Sequence, residues 1–196
     1  MNIGLIGSGA VNQALAKGFL KQQHEVMIAS RSADKREELK HEIGGHIQTG
    51  EFGETAAFGH ILVLAVKGEA ALDVITSIPV EHLADKTILD ATNPIDERSF
   101  ESGMPDDGVL TYFSDINRSL MEDLQEAVPD ARFVKCFNQV GSALMVNPAF
   151  DEGKPTMFIC GDSADAKEEV RVILDQLGWE AYDMGSSKAA RAIEPL

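Results

Sequence analysis

The N-terminal segment combines an apolar run, a glycine turn and a helical pattern. Residues 1–6 are mostly apolar, Gly7-Ser8-Gly9 follows as a turn, and residues 13–20 show helical spacing. Strand, glycine turn and helix in this order are what the dinucleotide fingerprint requires. Gly7 allows the sharp turn out of the strand, and Gly9 lets backbone N–H groups approach a pyrophosphate. The segment predicts nucleotide binding; the alternative is a glycine turn in an α/β protein with an empty crevice.

The third glycine of this fingerprint is absent, because Asn12 occupies its position. A glycine there normally permits close packing of the helix against the strand. We therefore expect Asn12 either to widen that packing or to point its amide toward the ligand. The helix that follows offers unpaired N–H donors and partial positive charge to an anion.

The composition excludes several classes of function. The 196 residues carry a formal net charge of −15, which disfavours nucleic acids and anionic membranes, because phosphate contacts need a basic surface. No apolar stretch approaches the roughly 20 residues that cross a bilayer. Met1 leads directly into the first predicted strand, without a basic segment and cleavage site, so we expect a cytoplasmic protein. Cys136 and Cys160 lie in separate apolar runs and are expected to be buried thiols, not a disulfide or a metal site.

Strand-like and helix-like segments alternate along the whole chain. This alternation predicts an α/β fold of the Rossmann type, with a doubly wound, mostly parallel sheet of about eight strands. We expect one domain over residues 1–196, in which the last two strands extend the sheet. Residues 97–111, rich in Gly, Asp and Pro, are predicted to be a mobile loop. The predicted strands are 1–6, 25–29, 46–49, 60–66, 87–91, 131–137, 156–160 and 179–183.

The ends of these strands bring together residues that are distant in sequence. Ligands of such a sheet bind at the carboxyl ends of the strands, near the point where the strand order reverses. The residues that follow the second, fourth, fifth and sixth strands are Ser30 and Arg31; Val66 and Lys67; Thr92, Asn93 and Pro94; and Asn138, Gln139, Val140 and Gly141.

The end of the second strand indicates which dinucleotide binds. An NAD enzyme would place Asp or Glu here, about 20 residues after the fingerprint, to bind the ribose 2′-hydroxyl. This chain instead has Arg31 beside Ser30, with Lys35 within one helical turn. A carboxylate would repel a 2′-phosphate, whereas arginine binds one with its planar fork. We infer NADP(H) rather than NAD(H); the alternative is that Arg31 is a solvated surface residue.

Candidate residues for chemistry are few. No Ser/His/Asp set and no metal-ligand spacing is visible, and every histidine precedes the fifth predicted strand. Lys67, Thr92, Asn93 and Asn138 are the candidates near a nicotinamide, and no catalytic residue is assigned. Hydride transfer to a flavin-like acceptor needs little acid–base help, because the cofactors do the chemistry. The sequence therefore favours a redox-cofactor partner over a carbonyl substrate.

Several runs of sequence, taken together, resemble a known family. They are Gly7-Ser8-Gly9, Ser30-Arg31, Thr92-Asn93-Pro94, residues 135–141, residues 155–162 and residues 189–196. The chain resembles, over nearly its whole length, the NADP-dependent dinucleotide-binding oxidoreductases. These are related to the archaeal 8-hydroxy-5-deazaflavin:NADP oxidoreductase and to the cytoplasmic domain of the STEAP metalloreductases. Relatives usually continue into a further helix where this sequence ends, so we expect any contribution of that helix to be missing.

The resemblance implies a set of binding residues. Ser8, Gly9, Ala10, Val11 and Asn12 would hold the pyrophosphate; Ser30, Arg31 and Lys35 the 2′-phosphate; Val66 and Lys67 would flank the adenosine ribose and diphosphate; and Asn93, Val140 and Gly141 would border the nicotinamide. Pro94, next to Asn93, is a further expected cofactor-binding residue.

The expected function is hydride transfer between NADP(H) and a second small-molecule substrate that is a deazaflavin or a flavin. A small imine or ketone is the alternative substrate, and a non-catalytic NADP(H)-binding redox sensor is the competing class. The oligomeric state stays open, with a homodimer as one expectation.

Overall fold

The computed structural model describes residues 1–44, 46–100, 109–151 and 153–196. Its strands lie close to the predicted positions. They are β1 (Asn2–Ile6), β2 (Glu25–Ala29), β3 (Gln48–Gly50), β4 (Ile61–Leu64), β5 (Thr87–Asp90), β6 (Arg132–Lys135), β7 (Thr156–Ile159) and β8 (Glu180–Asp183). The α-helices are α1 (Ala10–Lys21), α2 (Ala33–Ile43), α3 (Phe52–Phe58), α4 (Gly68–Thr76), α5 (Leu120–Ala127), α6 (Ala164–Gln176) and α7 (Ala190–Ile193).

Six of the described strands form one parallel sheet in the order β3-β2-β1-β4-β5-β6. The first strand is central, because Ile3 aligns with Val26 on one side and with Ile61 on the other. The strand order reverses between β1 and β4, which makes this edge the switch point of a Rossmann-type sheet. The predicted doubly wound, parallel architecture is confirmed.

Apolar side chains fill a layer on each face of the sheet. One layer contains Phe19 of α1 and Ile173 of α6, and the other contains Val74 of α4 and Leu124 of α5. Burial on both faces explains why β4 is a continuous apolar run rather than an alternating one. The free thiols of Cys136 and Cys160 are buried in these layers, as predicted.

Side chains define the starts of several helices. The hydroxyls of Ser32 and Ser163 each accept a hydrogen bond from the first turn of α2 and α6. Ser119 and Glu122 form a reciprocal capping box at the start of α5. Such caps satisfy backbone donors that have no partner within the helix. Within the described ranges, none of the helices combines the length and the apolar character needed to span a membrane.

The prediction that the last two strands extend the main sheet is wrong. Among the described residues, β7 and β8 form a separate two-stranded parallel sheet, so the main sheet has fewer than eight strands. One antiparallel bridge, between Lys135 and Cys160, connects the two sheets. A parallel neighbour for β6 would need a crossover connection, usually a helix. The described part of residues 136–155 contains only the short 3₁₀ helix Ser142–Leu144, so no such crossover forms.

The predicted loop at residues 97–111 is described only at its ends. Glu97–Phe100 form a 3₁₀ helix, and Ile95 pairs antiparallel with Tyr112. Residues 101–108 lie outside the described residues, so the mobility of this loop stays a prediction.

Candidate cofactor-binding site

The glycine turn after β1 contains Gly7, where the fold requires glycine, and Gly9, where the fold has room for a side chain. Gly7 has a φ of 114°, and a Cβ atom there would lie 2.5 Å from the carbonyl oxygen of Ala65. At Gly9 a Cβ atom would meet no atom within 4 Å. Gly9 precedes α1, whose start has no side-chain cap and no acidic residue in its first turn. Open space beside uncapped N–H groups fits an anionic ligand.

Asn12 holds this turn together from inside the protein. Its side chain is fully buried, and its Nδ2 donates to the carbonyl oxygens of Ile6 and Gly7 at 2.9 and 3.0 Å. The expectation that the amide N–H groups point toward the ligand is therefore corrected, whereas wider packing of the helix stays an expectation. The amide donates back to the carbonyl oxygens at the end of β1 and in the turn, where the Ile6 oxygen also accepts from the backbone N–H of Ala65, and thereby fixes the turn.

A cavity of about 360 Å³ opens at the carboxyl ends of β1, β2 and β4. It brings together many of the predicted site residues. The lining comprises Gly7, Ser8, Ala29, Ser30, Arg31, Ser32, Lys35, Phe52, Val66, Lys67, Ala70 and Val74. A larger cavity of about 640 Å³ lies between α6 and β8, away from these strand ends. The remaining predicted residues lie outside the 360 Å³ cavity: Gly9, Ala10, Val11, Asn12, Asn93, Pro94, Val140 and Gly141.

The end of β2 presents an arginine that has no acidic partner among the described residues. Arg31 is exposed and forms no ion pair with a described residue, so its guanidinium is free to bind an anion. The Ser30 hydroxyl accepts a hydrogen bond from the backbone N–H of Ser32 at 3.3 Å. Arg36 donates from Nη1 to the carbonyl oxygen of Ser30 at 2.7 Å. Sequence reasoning missed this anchor, although a second basic residue in the first turns of α2 was a visible signal.

The two predicted lysines of the cavity wall are each paired with carboxylates. The Nζ of Lys35 lies 2.9 Å from Glu38 and 3.6 Å from Glu42, and the hydrogen bond with Glu38 raises the pKa of Lys35. Lys67 is exposed and pairs with Glu97. An incoming phosphate would therefore compete with these carboxylates, whereas at Arg31 it would not.

Two asparagines that follow β5 and β6 bind each other beyond the carboxyl ends of these strands. Asn93 donates from Nδ2 to the carbonyl oxygen of Asn138 at 2.7 Å, and Asn138 donates from Nδ2 to Oδ1 of Asn93 at 3.1 Å. Asn138 also donates to the carbonyl oxygen of Ile193 at 2.9 Å. Gly68 lets Asn93 approach the start of α4, since a Cβ atom at Gly68 would lie 2.0 Å from the carbonyl oxygen of Asn93. Val140 is half-buried against the apolar layer of α1 and α6.

A buried ionic cluster lies at the ends of β5 and β6. The Nζ of Lys135 is 2.7 Å from Asp90 and 2.8 Å from Glu194, and all three side chains are at most 1% exposed. Burial favours the neutral amine, but the two carboxylates outweigh it and raise the pKa of Lys135. Sequence reasoning missed this cluster, although single charged residues at the ends of apolar strands were a signal.

Comparisons with known proteins identify the family to which this fold belongs. The family described as NADP oxidoreductase, coenzyme F420-dependent, matches residues 2–94, which include the glycine turn, Arg31 and Asn93. The crystal structure of a candidate F420-dependent NADP reductase from Arthrobacter sp. FB24 is 30% identical and has a TM-score of 0.88; the match covers 99% of this chain and 89% of that one. The chain belongs to an NADP oxidoreductase family. The resemblance stated from the sequence motifs is confirmed.

Other relatives of this NADP oxidoreductase family member are longer proteins. Metalloreductase STEAP3 of Rattus norvegicus is 25% identical over 195 residues, which cover 99% of this chain and 36% of the rat protein. The chain spans little more than a third of the length of the curated relatives that it matches along its whole length. A reductive aminase from Aspergillus terreus, solved with NADPH, shares the fold with a TM-score of 0.68 and 20% identity, over 99% of this chain and 58% of that one.

Alanine substitutions at the two glycines of the turn are expected to have different effects in this protein. Gly9→Ala is expected to leave the free energy of unfolding nearly unchanged, because the new methyl group meets no protein atom. It is expected to weaken NADPH binding, because the methyl group enters the open space where the pyrophosphate is expected. Gly7→Ala is expected to destabilise the fold by about 1–3 kcal/mol, since alanine must adopt a strained backbone conformation there. Urea denaturation and a fluorescence titration with NADPH measure the two effects. Equal destabilisation by both substitutions would contradict this division of roles.

Proposed function

We propose that this protein transfers hydride from NADPH to a second bound acceptor, and that the acceptor is a deazaflavin or a flavin. The observation that supports NADPH as the cofactor is the exposed Arg31 at the end of β2, which has no acidic partner among the described residues. When bound, NADPH supplies the hydride from its nicotinamide ring. The protein's part is to hold the two ligands, orient them and keep water away.

The residues that fit NADPH divide into three groups. Arg31 and Ser30 suit the 2′-phosphate, with Arg36 holding the backbone of Ser30 in place. The open space at Gly9 and the uncapped start of α1 suit the pyrophosphate. The apolar wall of the cavity, with Phe52 and Val74, suits the adenosine.

The residues expected near the nicotinamide favour a redox cofactor over a carbonyl compound as the hydride acceptor. Reduction of a ketone or an imine needs a proton donor beside the hydride. The candidate donors are engaged elsewhere: the Thr92 hydroxyl donates to Asp90 at 2.6 Å, and Lys67 pairs with Glu97. The amides of Asn93 and Asn138 bind each other and do not release protons. A flavin-like acceptor needs positioning more than proton transfer, so it matches what these residues offer.

NADPH oxidation measured with a panel of acceptors tests this proposal. The panel comprises a deazaflavin, flavins, ferric chelates, small ketones and small imines, with NADH as the control donor. We expect turnover with the deazaflavin or a flavin, and a much lower rate with NADH. Turnover with ketones or imines alone would overturn the choice of acceptor. Tight NADPH binding without oxidation by any acceptor would instead indicate a redox sensor.

A further inference from the structure

The cluster of Asp90, Lys135 and Glu194 places one buried cation between two buried carboxylates. The Nζ of Lys135 forms ion pairs with both carboxylates and also donates a hydrogen bond to the carbonyl oxygen of Thr92 at 2.9 Å. Glu194 accepts from the backbone N–H groups of Leu120 and Met121 at 3.0 Å each, at the start of α5. The partial positive charge of this helix start offsets part of the excess negative charge of the two carboxylates.

A buried ionic cluster contributes little net stability to a fold compared with apolar residues. Removing charges from water is costly, and apolar residues of similar volume often stabilise a buried site equally well. What the cluster does provide is direction, because each hydrogen bond fixes an angle as well as a distance. It joins four segments: the ends of β5 and β6, the start of α5, and the segment 190–194 that contains α7.

The cluster is connected to the Asn93–Asn138 pair on both sides. Lys135 holds the carbonyl oxygen of Thr92, the residue directly before Asn93. Asn138 donates to the carbonyl oxygen of Ile193, the residue directly before Glu194. A shift of Lys135 or Glu194 would therefore be transmitted through one residue to either asparagine.

We propose that Lys135 and Glu194 are positioning residues for the acceptor half of the site, by which we mean the paired side chains of Asn93 and Asn138. They set the mutual orientation of Asn93 and Asn138, and Glu194 makes the segment 190–194 part of that half. This inference rests on the proposed function for its kinetic consequence, whereas its structural consequence can be measured without any ligand.

Two matched substitutions of glutamate test the proposal. In Glu194→Gln the new NH₂ group faces the Lys135 ammonium or a backbone N–H, so a donor opposes a donor. We expect NADPH oxidation with the best acceptor to slow by about 10- to 100-fold, the range that a displacement of about 1 Å produces. The Kd for NADPH should change by less than about twofold, since the 2′-phosphate and pyrophosphate residues are untouched. Without ligand, the backbone amides of Thr92, Asn93 and Asn138 should exchange hydrogen about tenfold faster.

The control is Glu122→Gln. Glu122 binds Arg191 through two hydrogen bonds of 2.8 and 2.6 Å, so it holds the same C-terminal segment without touching Lys135. Glutamine also serves in a capping box, which preserves the start of α5. We expect the oxidation rate and the amide exchange of this variant to resemble those of the unmodified protein.

A charge-free variant separates positioning from stability. In the triple variant Asp90→Asn, Lys135→Met, Glu194→Gln, no unpaired charge stays buried, so its unfolding midpoint should exceed that of Lys135→Met alone. Its NADPH oxidation should nevertheless stay as slow as that of Glu194→Gln. Recovery of the rate together with stability would overturn the positioning role.

The remaining outcomes are also decisive. Unmodified rates and unmodified exchange in Glu194→Gln would overturn the proposal. Equal losses in Glu122→Gln would assign the effect to docking of the C-terminal segment and not to the cluster, which also overturns it. If none of the acceptors in the panel supports NADPH oxidation by the unmodified protein, the proposed function fails. The hydrogen exchange of the Thr92, Asn93 and Asn138 amides still decides whether the cluster positions these residues.

Discussion

Replacing Arg31 with alanine is expected to weaken NADPH binding by about 1.5–3 kcal/mol, the range for a lost hydrogen bond to a charged group. Arg31 is the cation of the cavity that has no carboxylate partner among the residues described, so its full charge is available to a 2′-phosphate. NADH lacks this phosphate, and its affinity should hardly change. Fluorescence titrations with both dinucleotides measure the effect.

A control must separate local binding from the overall charge of the protein. Lys21→Ala changes the net charge by the same amount, but Lys21 is exposed in the last turn of α1, at the opposite end from the glycine turn. We expect its affinity for NADPH to stay nearly constant. An equal loss of NADPH affinity in both variants, or tighter binding of NADH than NADPH by the unmodified protein, would contradict the role of Arg31.

Replacing Lys135 with methionine is expected to lower the free energy of unfolding by about 3–5 kcal/mol, the cost of leaving a buried charge without its partner. The substitution leaves Asp90 and Glu194, both inaccessible to solvent, facing each other without a cation between them. Urea denaturation at neutral pH, followed by circular dichroism, measures this loss.

An exposed lysine offers the comparison. Lys154 pairs with Asp175 at 2.5 Å, but these side chains are 51% and 75% exposed. Because water screens such a pair, Lys154→Met should cost less than about 1 kcal/mol. Similar losses for Lys135→Met and Lys154→Met would show that the buried cluster is not strongly coupled.

The cofactor half of the site could be predicted because its signals are local. Gly7 and Gly9 stand between a strand and a helix, and Arg31 follows the next strand directly. Parallel topology then brings these strand ends to one edge. The side chain of Asn12 could not be placed, because its partners are backbone carbonyls that only the folded turn presents to it.

The ionic cluster that supports Asn93 and Asn138 could not be assembled from the sequence. Asp90, Lys135 and Glu194 are far apart along the chain, and no local pattern states that they meet. Each alone is a charged residue at the end of an apolar run, for which exposure is the ordinary expectation. The separate sheet of β7 and β8 was missed for a related reason, since a pattern of strands does not specify which edges pair.

The central position of β1 has a consequence for how the chain is made. Because β1 precedes both of its neighbours along the chain, one of them is missing until β4 has left the ribosome. The glycine turn gains its packing against Ala65 only then. The acceptor half is completed later still, when Glu194 reaches Lys135 and the start of α5. In a nascent chain of this protein the cavity at the ends of β1, β2 and β4 can therefore form well before the cluster of Asp90, Lys135 and Glu194.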